Sequence, residues 1–268
     1  MPYLERDGVA LYGERAGAGG RSVLLVHGWC CDRTYPAPQV RHLADGGFDV
    51  ISIDLRGHGL SDKPEQRYDI ADFTDDIAWL IGALDLERPV VIGHSMGGII
   101  AYDLGCRYPG LASALVMIDA AIVRPPSAHG AMSAALERLG GPGYRNALRE
   151  LVVATLFIPT DDADHRERIL EAMVSTPRHV ITAAYAGLAG FEPVAMPAEP
   201  ATPSLYIAAD EPVPRSDVVR LRELAPALQV GQTVGSGHFC QLEVPEQVNA
   251  MIDRFLLLNR AAGVGAAP

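Results

Sequence analysis

The stretch Gly93-His94-Ser95-Met96-Gly97-Gly98 sets a serine hydroxyl between glycines placed two residues before and two after it. The apolar run Pro89-Val90-Val91-Ile92 ahead of it reads as a short buried strand, and Ile99-Ile100-Ala101-Tyr102-Asp103-Leu104 behind it reads as the start of a helix. A serine at the tip of a sharp strand-to-helix turn must hold a strained backbone conformation. Gly93 and Gly97 carry no side chain, so the chain can fold that tightly around it. The hydroxyl then stands clear of the backbone at the positive end of a helix, where developing negative charge is stabilised. That arrangement suits nucleophilic attack on an acyl carbon, provided a base takes the hydroxyl proton.

Other chemistries have weaker support in the residue pattern. Of the four cysteines, Cys30 and Cys31 are adjacent, Cys106 falls in an expected helix and Cys240 is remote; this is neither a disulfide framework nor a C-x-x-C site. The eight histidines lack H-E-x-x-H or another metal-ligand spacing, so neither a catalytic metal nor a cofactor is expected. His42, His129, His165 and His179 have no partner pattern and are expected at the surface.

The elements that must position Ser95 follow from hydrophobic periodicity. Residues 3–6 and 9–15, separated by Asp7-Gly8, read as a hairpin. Val23-Leu24-Leu25-Val26, Val50-Ile51-Ser52-Ile53, the run before Ser95 and Ala114-Leu115-Val116-Met117-Ile118 read as strands covered on both faces. Helical spacing of Phe73, Ile77, Leu80, Ile81 and Leu84 marks a helix over 73–85. Alternating strands and helices imply an α/β class and a mostly parallel sheet with helices on both sides. After about residue 121 the rhythm breaks: helical patterns at 131–139, 143–157, 163–175 and 178–189 occur with no convincing strand, bracketed by prolines. Strands at 204–208 and 228–234 and helices at 216–225 and 246–259 then resume it, and the Ala/Gly tail from Ala261 is expected to be disordered. The division expected is a core over 1–121 and 203–268 with a helical insertion over 122–202.

Bulk properties limit the partners. A net charge of -11 disfavours a nucleic-acid backbone, and no apolar run nears the roughly 18 residues that span a bilayer. The opening residues Met1-Pro2-Tyr3-Leu4-Glu5-Arg6-Asp7-Gly8 lack signal-peptide character, so a cytoplasmic location is expected, with a small molecule as the partner. Composition (49% hydrophobic, 21% charged) fits a chain with a sizeable core, and does not define an oligomeric state.

Several separated motifs in order resemble the α/β-hydrolase superfamily along nearly the whole chain: His27-Gly28-Trp29, Asp54-Leu55-Arg56-Gly57-His58-Gly59-Leu60-Ser61-Asp62, Gly93 to Gly98, Asp210 ahead of Pro214, and Gly237-His238-Phe239 with Leu242-Glu243 and Pro245. The resemblance implies an eight-stranded α/β-hydrolase sheet with a helical cap inserted after the sixth strand. It also implies a catalytic triad of Ser95, Asp210 and His238 in the chain order of that fold. Asp119, which ends the strand before the insertion, occupies a position some relatives use for the acid and stays open as the alternative. One departure concerns the acid turn, where a common glycine is replaced in Ile207-Ala208-Ala209-Asp210.

On this resemblance His238 would take the Ser95 proton and return it to the leaving group, while the acid orients the imidazole. The backbone N–H groups of Trp29 and Met96 would bind the oxyanion. His27, Asp54, Arg56 and His58 read as bracing of the loops, and His94 as packing beside the turn. Cys30, Phe157 and Phe191 are the expected pocket residues, with Cys31 and Tyr185 near them. The implied activity is hydrolysis of a small or medium ester, lactone or related acyl compound through an acyl-enzyme. His27-Gly28-Trp29-Cys30 with Asp32 also resembles cofactor-free dioxygenases of N-heteroaromatic substrates, which share the His–Asp pair with C–C bond hydrolases. A non-catalytic receptor is the third class.

Overall fold

Along the central strands each residue faces a helical layer, and the side chains are apolar on both sides for that reason. A computed structural model describes residues 3–198 and 201–259; the tail from Ala261 lies outside the described residues. The strands are β1 (Tyr3–Arg6), β2 (Val9–Ala16), β3 (Ser22–Val26), β4 (Asp49–Ile53), β5 (Val90–His94), β6 (Ala114–Ile118), β7 (Ser204–Ala208) and β8 (Leu228–Gln232). They form one eight-stranded sheet in the order β1-β2-β4-β3-β5-β6-β7-β8. β1 with β2 and β2 with β4 are antiparallel, and the remaining pairs are parallel, so the sheet is mixed but mostly parallel.

The helices are α1 (Ala37–Asp45), α2 (Ile70–Ala83), α3 (Met96–Arg107), α4 (Ser127–Gly140), α5 (Tyr144–Leu156), α6 (Ala163–Val174), α7 (Arg178–Gly190), α8 (Val218–Leu224), α9 (Cys240–Glu243) and α10 (Pro245–Leu258). In β3, Val23 and Leu25 join an apolar layer with Leu43 of α1 and Val248, Ile252 and Phe255 of α10. Leu24 and Val26 face the other way, into a layer with Phe73 and Ile77 of α2 and Ile99 and Ile100 of α3. Burying each such side chain contributes on the order of 1.5–3 kcal/mol. Helix α2 starts at a reciprocal cap: Asp69 accepts from the backbone at Asp72, whose carboxylate accepts from the Asp69 N–H at 2.9 Å.

Helices α4 to α7 lie between β6 and β7; the boundaries of α5 to α7 follow the helical periodicity closely, while α4 begins about one turn earlier than its pattern. Leu148, Val152, Met173, Val180, Ile181 and Ala184 from these helices are buried in the same apolar layer as α2 and α3. Trp29 ties the loop after β3 to α7 by donating its indole N–H to the Ile181 carbonyl at 3.1 Å. Periodicity did not reveal α1, whose buried residues are only Gln39 and Leu43. Among the described residues no helix is long and apolar enough to cross a membrane.

Candidate active site

Strand β5 delivers Ser95 to the carboxyl edge of the sheet, and the backbone there is strained, with φ 55° and ψ -118°. The glycines are required by space. A Cβ on Gly93 would sit 2.0 Å from the Gly97 carbonyl oxygen, and one on Gly97 would sit 2.2 Å from that of Val26. Even Gly28 approaches so closely that a Cβ would lie 3.0 Å from the Ser95 Cβ. Ser95 N–H donates to the Ile118 carbonyl at 2.9 Å, which fixes the turn to the end of β6. The backbone N–H groups of Trp29 and Met96 have no acceptor among the described residues, which is the condition an oxyanion site demands.

His238 is buried beside this turn, and its Nδ1 donates to the Oδ2 of Asp119 at 2.6 Å. That bond leaves Nε2 as the acceptor, the tautomer a general base requires. The acid expected at Asp210 is therefore corrected: the geometry pairs His238 with Asp119. Asp210 is exposed, and its carboxylate accepts from the Gly235 N–H at 2.9 Å. The reason lies in the strand ends. His94 pairs with Ile118 in the β5–β6 register, so Asp119, the next residue, lies level with Ser95. Asp119 N–H donates to Ile207, and its Oδ1 accepts from Ala209 at 3.0 Å, which holds the end of β7 beside it. By Asp210 the chain has turned toward the loop after β8, where its N–H donates to Ser236. Asp119 itself has φ 43°, a conformation unusual for a non-glycine residue.

Glu211, the neighbour of Asp210, and Arg215, which carried no signal in the sequence, complete the charge cluster. Arg215 Nε donates to the same Asp119 Oδ2 at 2.8 Å, and its Nη2 donates to Glu211 and to the Thr155 carbonyl, both at 2.5 Å. Burial opposes ionisation of Asp119, yet the hydrogen bond from His238 and the charges of His238 and Arg215 hold its carboxyl at about 2. Burial, followed by the Arg215 charge, lowers His238 to about 4 despite the Asp119 contact. Burial raises Glu211 to about 7 against the pull of Arg215. Donor atoms of Asp119, Glu211 and His238 all lie within 4.8 Å of one another, a spacing a metal ion could use. The Arg215 guanidinium bonds both carboxylates and supplies the positive charge there.

Surrounding groups brace the site as the sequence implied. His27 Nδ1 donates to Gly28 O at 2.8 Å and its Nε2 accepts from Leu55 N–H at 3.0 Å, which joins the loops after β3 and β4. Asp54 accepts from the N–H groups of Arg33 and Leu60, and Arg56 makes a two-pronged pair with buried Asp76 at 2.5 Å. His94 packs its ring 4.6 Å from that of His238 and donates Nε2–H to the His238 carbonyl at 2.8 Å. Asp161, between α5 and α6, accepts from the Gly237 N–H at 2.8 Å. His165 was expected to be exposed but is half-buried, bonded to Glu243 at 2.9 Å. His42 and His179 are also half-buried, against Asp253 and the Lys63 carbonyl, whereas His129 is exposed.

Ser95, Met96 and His238 open onto one cavity of about 580 Å³. Ser95 Oγ has no hydrogen-bond partner among the described residues, and the residue lies on the cavity wall. Phe157 lines the cavity, and so do Tyr185 and Cys31. Cys30 and Phe191, the other expected pocket residues, do not. Cys30 follows a loop residue, adopts φ 55° and turns its thiol into the buried layer, where burial raises its pKa. Phe191 ends α7 and offers its carbonyl to Arg124 Nη2 while its ring packs against the apolar layer.

The α/β-hydrolase fold family model matches residues 21–140. The eight-stranded sheet and its flanking helices have the α/β-hydrolase fold. Over 105 residues this chain is 38% identical to a 2-(acetamidomethylene)succinate hydrolase of Mesorhizobium japonicum, a match covering 39% of this chain and 37% of that one. Matches to the first six curated relatives span 31% to 42% of those relatives' lengths. Among solved structures, a thermophilic esterase from Thermogutta terrifontis superposes with a TM-score of 0.80 at 26% identity, covering 96% of this chain and 97% of the other. An enol-lactonase from Burkholderia xenovorans superposes equally well, at 0.80 over 96% of this chain and 100% of that one, but at 21% identity its likeness concerns the α/β-hydrolase fold alone.

Proposed function

We propose that the protein is a serine hydrolase acting on a small or medium ester, lactone or related acyl compound, with Ser95 as nucleophile, His238 as base and Asp119 as acid. The observation that carries the reading is the 2.6 Å bond from His238 Nδ1 to Asp119, made at the wall of the cavity onto which Ser95 opens. In the first half-reaction Ser95 Oγ attacks the acyl carbon as its proton passes to His238 Nε2. The tetrahedral oxyanion is received by the N–H groups of Trp29 and Met96, each worth about 2.7–4 kcal/mol at the transition state. Collapse expels the leaving group, which takes the proton from His238. Water then attacks the acyl-enzyme, giving its proton to His238, and the acid product departs as Ser95 regains a proton.

Cavity shape supports an apolar acyl or alcohol portion. Apart from the ionisable groups Arg124, Glu211, Arg215, His94 and His238, its walls are mainly apolar side chains such as Met132, Leu151, Leu156 and Met173. Most of these come from helices between β6 and β7, which supports the reading of residues 122–202 as a cap over the nucleophile. The esterase chemistry in the name of the Thermogutta terrifontis structure agrees with this class. The test is labelling with a p-nitrophenyl alkylphosphonate followed by peptide mass spectrometry. A single adduct on the Ser95 peptide, with loss of p-nitrophenyl ester turnover, is expected. An unlabelled protein that consumes oxygen with an N-heteroaromatic substrate would replace this reading by chemistry of the His238–Asp119 pair alone.

A further inference from the structure

We propose that Arg215 and Glu211 are positioning residues for His238: Arg215 grips the same Asp119 oxygen that His238 uses, Glu211 grips Arg215, and this buried pair sets how strongly Asp119 supports the base. The inference rests on the reading of His238 as the base. It concerns the loop after β7, the segment where the sequence placed the acid. In this chain that loop supplies the acid's supporting pair instead.

The geometry is specific. Asp119 Oδ2 accepts from His238 Nδ1 at 2.6 Å and from Arg215 Nε at 2.8 Å, so the two compete for one oxygen. Side chains of Asp119 and His238 are each 3% exposed, which keeps water from screening the competition. Among the described residues, the charged and titratable groups around His238 come from several elements. Asp119 comes from β6, Arg215 and Glu211 from the loop after β7, Asp161 from the loop between α5 and α6, and His94 from the elbow; Cys240 lies on its own segment. Asp161 meets this segment through the Gly237 N–H, and His94 through the His238 carbonyl.

Charge counting shows what the pair does. Asp119 and Arg215 offset one another, so an imidazolium formed beside them relies on the other nearby carboxylates, Asp161 and Glu211. An ionised Glu211 adds to its stabilisation. Base catalysis and ionisation of Glu211 are thereby linked, and burial places Glu211 at about 7, within the working range of the base. kcat/KM is expected to rise with pH in two steps: a main one as His238 loses its proton and a smaller one as Glu211 loses its own.

The experiment follows His238 directly, by heteronuclear NMR titration of its imidazole in the full-length protein, beside pH profiles of kcat/KM on a p-nitrophenyl ester. In Arg215→Gln the His238 titration is expected to move up by at least about one pH unit, as removal of a nearby like charge predicts, with the acid limb of kcat/KM moving equally. Arg215→Lys should restore most of the original position. An unmoved or lowered His238 titration in folded Arg215→Gln overturns the proposal. Should that variant not fold, Glu211→Gln decides, since glutamine keeps the acceptor for Arg215. Its expected result is loss of the upper step with a downward move of the His238 titration; an unchanged titration and profile overturns the proposal. The NMR readout requires no turnover, so failure of Ser95 labelling would strike the serine-hydrolase reading and leave this result legible.

Discussion

Replacing Asp119 by asparagine removes one acceptor oxygen from a carboxylate that receives three N–H groups: His238 Nδ1 at 2.6 Å, Arg215 Nε at 2.8 Å and Ala209 N at 3.0 Å. An amide has one oxygen and one NH₂, so one of these donors must face another donor. If the amide oxygen stays with Ala209, the NH₂ group takes the place of Oδ2 and meets both Arg215 and His238, and the imidazole shifts to the tautomer with hydrogen on Nε2. That tautomer cannot take the Ser95 proton, and kcat is expected to fall by about 10⁴-fold, equivalent to about 5.4 kcal/mol. KM should move little, because Asp119 does not line the cavity. Asp210→Asn provides the contrast. Its side chain is exposed and makes one bond, from Gly235 N–H, that an asparagine oxygen can also accept. A loss below about threefold in kcat is expected there, within the worth of one exposed hydrogen bond. Steady-state hydrolysis of a p-nitrophenyl ester series measures both, with thermal unfolding as the check that each variant is folded. The reasoning is refuted if Asp210→Asn carries the large loss while Asp119→Asn keeps more than about a tenth of wild-type kcat, a difference of about 1.4 kcal/mol.

Gly97→Ala should prevent or severely weaken folding, since its Cβ would lie 2.2 Å from the Val26 carbonyl oxygen, a backbone atom that has no room to retreat; a loss of at least about 3 kcal/mol in urea unfolding is expected. Acid should destabilise the protein well above the carboxylate range. Burial holds His27 at about 4, His58 at about 3 and His238 at about 4, all below their ordinary 6.5. Between about pH 6.5 and 4 the unfolded chain binds the additional protons, so each histidine's stabilisation is complete above pH 6.5 and is lost as pH falls, at up to about 1.4 kcal/mol per pH unit. Unfolding free energies flat between pH 6.5 and 5 would contradict this. Met173→Ala and Leu156→Ala, on the cavity wall, should change kcat/KM unequally across acyl chain lengths, while Ser95 phosphonylation by a small reagent stays within about twofold; a common factor for all substrates would argue against a cap that selects them.

Legibility followed the range of the interactions involved. The elbow was readable because its demand is local: with Ser95 strained at φ 55°, a side chain at Gly93 or Gly97 has nowhere to go, and both glycines stand two residues away. Helices α4 to α7 were readable because each buries a periodic apolar stripe, whereas α1 buries too little to leave one. His238 sat in a recognisable Gly-His-Phe segment. Its partner did not reveal itself, because Asp119 and Asp210 both follow strands and differ only in what lies beside them. The resemblance favoured the later position, and the replaced glycine in Ile207-Ala208-Ala209-Asp210 was the one sign against it.

The sequence by itself determined the alternating strand–helix framework and the serine turn, since each depends on sterics or periodicity within a few residues, while His238 was singled out by resemblance. Only the tertiary structure decided which aspartate meets that histidine and which charges stand behind it. Asp119, Glu211, Arg215 and His238 come from three strand ends, and the contacts of Asp119 with Arg215 and His238 span 96 and 119 residues. No spacing rule reaches that far. The β5–β6 register sets Asp119 level with Ser95, and burial then makes each charge depend on the others for its stability.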